Sequence, residues 1–294
     1  MGDAEPGSES AAALGGEWTR ARVERRLDDL VAGHRFEIAV VFPVVGAALL
    51  LASAWGWLPD PLAFNPYLVL AGVTVMRLPL VAGLLPLADR RAAVAVLALA
   101  AYAYGVELVG VHTGWPYGEF AYLVDLGPML AGAVPLGLPV FFLPLVVNSY
   151  LLVLLVGGPL ARRAAVRVPL VAAVVVWMDV VIDPGAVALG FWAYEAGGAY
   201  HGVPLSNYLG WVLSATVSVA VLDWGFDAAD LRERLADCPF MLDDLVSFVI
   251  LWGAVNAAFG QVAPVLAAAV LGVALLRTDR FDFAVRDRNP ARDR

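Results

Sequence analysis

The sequence predicts an all-α fold: a polytopic membrane helix bundle of about eight transmembrane helices, with both termini cytoplasmic. Three observations carry that prediction. The 294-residue chain is 61% hydrophobic, with a mean hydropathy of +0.77. Several runs with few charges reach about 20 residues, the length that crosses a hydrocarbon core at a rise of about 1.5 Å per residue. Every second connecting segment contains no arginine.

The expected spans fall at about 36–57, 66–88, 92–111, 136–157, 166–183, 206–223, 242–259 and 262–277. The second contains Arg77 and Pro79 and the fourth Pro139 and Pro144, so both are expected to kink, with neighbouring helices satisfying the freed backbone groups. Arg20, Arg22, Arg25, Arg26 and Arg35 precede the first span. Arg90 and Arg91 follow the second, Arg162, Arg163 and Arg167 the fourth, Arg232 and Arg234 the sixth, and Arg277 and Arg280 the last. Segments 58–65, 112–135, 184–205 and 260–261 contain no arginine. The positive-inside rule puts these on the outer side, in a multi-pass protein of the cell membrane. The chain divides accordingly into a cytoplasmic tail 1–35, one transmembrane domain 36–277 and a cytoplasmic tail 278–294. Residues 1–18, rich in Gly, Ala, Ser and Glu, are expected to be disordered, and no signal peptide is expected.

Composition excludes several classes. The chain has no lysine, and its 19 arginines against 27 acids leave a net charge of −8. No basic face exists for a nucleic acid. Two readings of the lysine-free, acidic composition stand side by side: adaptation to high salt, and a GC-rich genome that replaces Lys with Arg. The single Cys238 excludes an internal disulfide and multi-cysteine metal sites. A retinal Schiff base needs a lysine, and no nucleotide, flavin or zinc-protease motif is present. No metal or cofactor is expected.

The long arginine-free segments hold the residues with chemistry. Asp179 and Asp183 in Trp177-Met178-Asp179-Val180-Val181-Ile182-Asp183-Pro184 are four apart, hence on one helix face. Pro184 is expected to end that helix, leaving both acids at its outer C-terminal turn. One acid of such a pair is expected to carry a transferable proton, as a general acid must. Structural hydrogen bonding and cation binding are the competing readings. Glu107, within an apolar span and within reach of Tyr104 one turn away, is a functional candidate, with pairing to Arg77 across the bundle as the competing reading. His112 and His201 flank the outer segments without metal-ligand spacing, and Asn148, Asn207, Asn256 and Gln261 suit hydrogen bonds between helices.

At these motifs the sequence resembles the membrane carotenoid hydratases. The likeness rests on Thr113-Gly114-Trp115-Pro116-Tyr117-Gly118-Glu119-Phe120-Ala121-Tyr122, on Leu126-Gly127-Pro128 and Val134-Pro135, and on Asp179-Val180-Val181-Ile182-Asp183-Pro184. It continues in Gly190-Phe191-Trp192-Ala193-Tyr194 and in Tyr200-His201-Gly202-Val203-Pro204-Leu205-Ser206-Asn207-Tyr208-Leu209-Gly210-Trp211. Tyr194 and His201 depart from the family pattern, which has another aromatic and a tyrosine there. The resemblance covers roughly residues 65–260 and, with the composition, points to a haloarchaeal branch acting on a fifty-carbon carotenoid.

The resemblance implies cofactor-free hydration of terminal alkenes: a carboxylic acid protonates the less substituted carbon, and water captures the tertiary carbocation. Asp183 is then the first choice of acid and Asp179 its partner. Glu119, Glu195 or His201 would orient water and take up its proton. Trp115, Tyr117, Trp192 and Tyr194 would stabilise the cation through their π faces, and Tyr122, Asn207 and Trp211 complete the expected substrate site. The expected partners are a membrane carotenoid, the lipid bilayer and other carotenoid-biosynthesis enzymes. A transporter, a non-catalytic carotenoid-binding protein and another isoprenoid enzyme such as a cyclase are the alternatives. Inverted repeats would favour a transporter, and no clear repeat is visible.

Overall fold

A computed structural model describes residues 19–278. Among them the chain forms a helical bundle: α1 (Arg20–Gly33), α2 (Phe42–Ala54, entered through a π turn at Glu37–Val41), α3 (Pro66–Leu84), α4 (Arg90–Thr113), α5 (Leu138–Val156), α6 (Ala164–Leu189), α7 (Leu205–Gly225), α8 (Ala228–Asp237), α9 (Asp243–Ala258) and α10 (Val262–Leu276). Short strands interrupt the helices: β1 (Phe120–Tyr122), β2 (Met129–Leu130) and β3 (Val134–Pro135) between α4 and α5, and β4 (Trp192–Tyr194) between α6 and α7.

Six of these segments are long and apolar enough to cross a membrane: Glu37–Ala54, Pro66–Leu87, Arg90–Thr113, Leu138–Val156, Ala164–Leu189 and Leu205–Gly225. The last two expected spans coincide with α9 and α10, which are shorter, at 16 and 15 residues. The chain is therefore a helical membrane protein, with six helices of spanning length among the described residues. Residues 1–18 and 279–294, including most of the expected C-terminal tail, lie outside the described residues. Within the expected N-terminal tail, residues 20–33 form α1, which packs against α3.

Side chains start several helices, and left-handed glycines end two of them. Asn65 accepts hydrogen bonds from the Tyr67 and Leu68 amides, and Asp89 accepts one from Ala92, satisfying donors that the first turn leaves open. Helices α4 and α6 both end on a left-handed glycine, Gly114 (φ 72°) and Gly190 (φ 78°). These two glycines turn the chain into the segments carrying β1 and β4.

The expectation that Pro184 ends its helix is corrected: α6 runs on to Leu189. A proline inside a helix frees the carbonyl four residues earlier. Here that carbonyl, Val180 O, accepts from the Tyr200 hydroxyl at 3.3 Å. Asn256 Nδ2 donates to the next carbonyl, Val181 O, at 2.9 Å. Pro144 in α5 is accommodated in the same way, since Arg77 Nε donates to Val140 O at 3.4 Å. Asp179 and Asp183 therefore lie inside α6, with more than a turn of helix beyond them.

Helix α6 packs against α5, α7, α9 and α10. The main core gathers Leu99, Tyr150, Leu151, Val175, Met178 and Leu245 between these helices and α4. Polar side chains stitch the packing. Asn148 joins α5 to Asp244 of α9, and Gln261 donates to Pro184 O at 3.1 Å.

Candidate active site

One antiparallel strand pair builds the roof of the site. β1 pairs with β4 in the register Phe120↔Tyr194, Ala121↔Ala193 and Tyr122↔Trp192. Side chains alternate along a strand, and directly opposed residues share a face. Phe120, Tyr122, Trp192 and Tyr194 therefore lie on one face, and all four line the same cavity. That cavity has a volume of about 230 Å³ and is walled mainly by apolar side chains of α2, α3, α5 and α9, among them Val73, Met76, Phe142 and Leu251.

Three carboxyl groups line this apolar space: Glu107 of α4 and Asp179 and Asp183 of α6. Asp179 and Asp183 are 1% and 4% exposed, so nearly all of each is withdrawn from solvent. One amide binds both of them. Asn207 Nδ2, near the start of α7, donates to Asp179 Oδ2 at 2.7 Å and to Asp183 Oδ2 at 2.6 Å. The Tyr194 hydroxyl donates to the same Asp183 oxygen at 2.8 Å. Burial, and then the Asp183 carboxyl, push the Tyr194 phenol far above its usual range, so it stays protonated and donates. Asp179 Oδ1 is buried with no hydrogen-bond partner among the described residues.

Glu107 accepts from the Tyr122 hydroxyl. Burial, followed by the Glu107 charge, raises the Tyr122 phenol in the same way. The expected partners of Glu107 are engaged elsewhere: Tyr104 donates to Leu136 O at 2.6 Å, and Arg77 pairs with Asp244. No described ion pair includes Glu107, Asp179 or Asp183. Three carboxyls in an apolar cavity, met by neutral donors rather than guanidinium groups, form an arrangement suited to proton transfer.

An aromatic wall faces the acids. Tyr117 is 5% exposed, and its hydroxyl lies 2.6 Å from Ser214 Oγ. Its ring is 5.7 Å from that of Trp211, which stacks on Phe142 at 5.5 Å. Gly210 makes room for this wall, because a Cβ there would collide with the Tyr117 ring.

A family model described as "Carotenoid biosynthesis protein" matches residues 64–275. The chain belongs to that carotenoid biosynthesis family. It is similar to the bisanhydrobacterioruberin hydratase of Haloarcula japonica, with 62% identity over 265 residues covering 90% of each chain. No solved structure matches it. The matched region contains the whole cavity except its wall from α2, with all three carboxyls and both strands of the roof.

Within this family member, the structure gathers Asp179, Asp183, Tyr117, Tyr122, Trp192, Tyr194, Asn207 and Trp211 around one cavity. The other four expected site residues lie outside its lining. Trp115 is 60% exposed. Glu119 and Glu195 are exposed, joined through the backbone by Glu195 N to Glu119 O at 2.9 Å. They flank the inward-facing residues of β1 and β4, and strand alternation sends them to the opposite face. His201 is exposed, with its ring edge-on to Tyr200 at 4.9 Å. His112, also exposed, has its Nδ1 2.7 Å from Leu108 O. Among the described residues no three His, Cys, Asp or Glu side chains are grouped as metal ligands.

Sequence reasoning did not assign Phe120, Phe142 or Trp252 to the site. Their signal was present only in part. Phe120 alternates with Tyr122 along a strand, whereas Phe142 and Trp252 sit in apolar runs that read as ordinary span.

Proposed function

We propose that this chain hydrates bisanhydrobacterioruberin, adding water across its terminal alkenes to give bacterioruberin, with Asp183 as proton donor and Asp179 as its partner. The single observation that carries the reading is the Asp179–Asn207–Asp183 bridge inside a mainly apolar cavity, with neither acid in a described ion pair. The identity with a hydratase over 90% of both chains supports the reaction class.

The chemistry follows from the alkene. A proton from the Asp183 carboxyl forms a C–H bond at the less substituted carbon, using the π electrons and leaving a tertiary cation. Water oxygen then bonds to that carbon and releases a proton. No electrons leave the system, so no redox partner is needed. Asn207 and Tyr194 hold the donor oxygen in place. The rings of Tyr117, Trp192 and Trp211 offer π faces to the cation while excluding bulk water. Apolar walls from α3, α5 and α9 suit a polyene tail lying between helices.

Glu119, Glu195 and His201, on the exposed side of the roof, would relay protons between bulk water and the cavity, and Trp115 would sit among lipid headgroups. The arginine pattern supports eight spans, cytoplasmic termini and a site opening at the outer surface. Incubating the purified full chain with bisanhydrobacterioruberin in ¹⁸O-labelled water tests the reaction. One labelled oxygen is expected for each new hydroxyl. Unchanged substrate, or hydroxyls without label, would reject it.

A further inference from the structure

The proposed donor accounts for one of the three carboxyls in the cavity and its partner for a second. Glu107 remains, on a different helix, and is held from the roof by Tyr122. β1 and β4 each carry one tyrosine to one carboxyl: Tyr122 of β1 donates to Glu107, and Tyr194 of β4 donates to Asp183. Tyr122 pairs with Trp192, so Tyr194, two residues further along the same face, is its diagonal neighbour. Diagonal neighbours on a strand pair stand about 7–8 Å apart. One two-stranded element thus contacts a carboxyl of α4 and a carboxyl of α6 that line the same cavity.

A hydration needs both halves of such an arrangement. The donor acts on the alkene carbon, and a separate acceptor must take the proton that water sheds on bonding to the cation. The donor is poorly suited to both tasks within one pass, because its proton goes to one carbon of the alkene and the water arrives at the other. The exposed Glu119 and Glu195 lie across the strand pair from the cavity, whereas Glu107 lines it.

We infer that Glu107 is the general base of the hydration, accepting the proton from the capturing water while Tyr122 fixes its carboxyl. The O–C bond forms from a water lone pair, one water O–H bond breaks, and that proton moves to a Glu107 oxygen. Asp183 has lost one proton and Glu107 has gained one. Passage of a proton between them resets the site, leaving only H and OH added to the alkene. This assignment rests on the hydration and on Asp183 as donor.

The test uses the purified full chain with bisanhydrobacterioruberin in D₂O, reading hydroxylated product and deuterium in the recovered substrate. A cation that forms but is not captured reverts by losing a proton, and so leaves deuterium in the alkene. For Glu107→Gln, hydration is expected to fall about 100-fold while exchange stays within about threefold of wild type. Asp183→Asn is expected to lose both. Glu107→Gln hydrating at the wild-type rate overturns the base assignment and leaves the donor reading intact. Loss of exchange together with hydration in Glu107→Gln also overturns it, because Glu107 would then be needed to make the cation. Retention of both activities by Asp183→Asn overturns the donor reading instead. Should Glu107→Gln not accumulate as folded protein, Tyr122→Phe decides: hydration is expected to fall about tenfold with exchange retained. Unchanged hydration, or joint loss of both, would overturn the inference.

Discussion

Asp243 and Asp244 are as deeply buried as Asp179 and Asp183, yet the two pairs have different surroundings. The first pair opens α9, where the helix N-terminus favours negative charge. Asp243 takes a two-pronged contact from Arg35 at 2.7 and 2.8 Å, and Asp244 is held by Arg77 and by Asn148 at 2.6 Å. The second pair lies in the C-terminal half of α6 and receives neutral donors, Asn207 and Tyr194 among them. The same contrast extends outward. Asp223 pairs with Arg167 and Asp28 with Arg234, whereas Glu107 meets a tyrosine. A carboxylate gripped by a guanidinium ties helices together, and removing its partner strands a buried charge. A carboxyl met by an amide and a phenol keeps its place while remaining able to exchange a proton. On the proposed reading, burial alone does not mark a functional acid; the identity of its donors does.

Substitutions at each pair sharpen that contrast. The largest effect is expected from Asp183→Asn, which keeps shape and removes the transferable proton. Hydration should fall by about 10³-fold, read as product formed per unit of purified protein. Its thermal midpoint in detergent should change little. Asp244→Ala should do the reverse, since it leaves Arg77 unpaired beside the cavity. A loss of about 3–5 kcal/mol in stability is expected, measured as earlier unfolding, and Asp244→Leu combined with Arg77→Met should recover much of it. Equal loss of activity and fold at both positions would erase the distinction. Asn207→Leu lies between these extremes, removing the amide that binds both acids. A fall of about 10–100-fold in rate is expected with substrate still bound, seen as a lower kcat at similar KM.

A smaller effect concerns Cys238, which burial, opposed by Arg234, pushes up to about 11. The thiol should therefore stay protonated and resist alkylation at pH 8 in the folded protein, then react once denatured. Labelling of the native chain at that pH would contradict its burial.

How legible was all this in the sequence? The six helices of spanning length were, because long apolar runs need no knowledge of neighbours; α9 and α10 are shorter than the spans expected there, and the polar α1 and α8 carried no such signal. The i,i+4 spacing of Asp179 and Asp183 also placed them together without any structure. The end of α6 was misread because the remedy for Pro184 is remote: Tyr200 and Asn256 supply the donors, and neither is visible from the local pattern. Pairing of β1 with β4 was hidden for the same reason, as its two strands lie on segments separated by α5 and α6. Once that register is known, alternation sorts the aromatics inward and Glu119 and Glu195 outward. Glu107 was visible as an acid within a span, but its tyrosine partner depended on the fold of the loop above it.

Product formed in D₂O examines the donor pair most directly. Wild-type chain should place one deuterium on the less substituted carbon for every hydroxyl added, and Asp183→Asn should place none. Hydroxylated product with no carbon-bound deuterium would contradict protonation by a buried aspartate, and so would wild-type labelling by the Asp183→Asn chain.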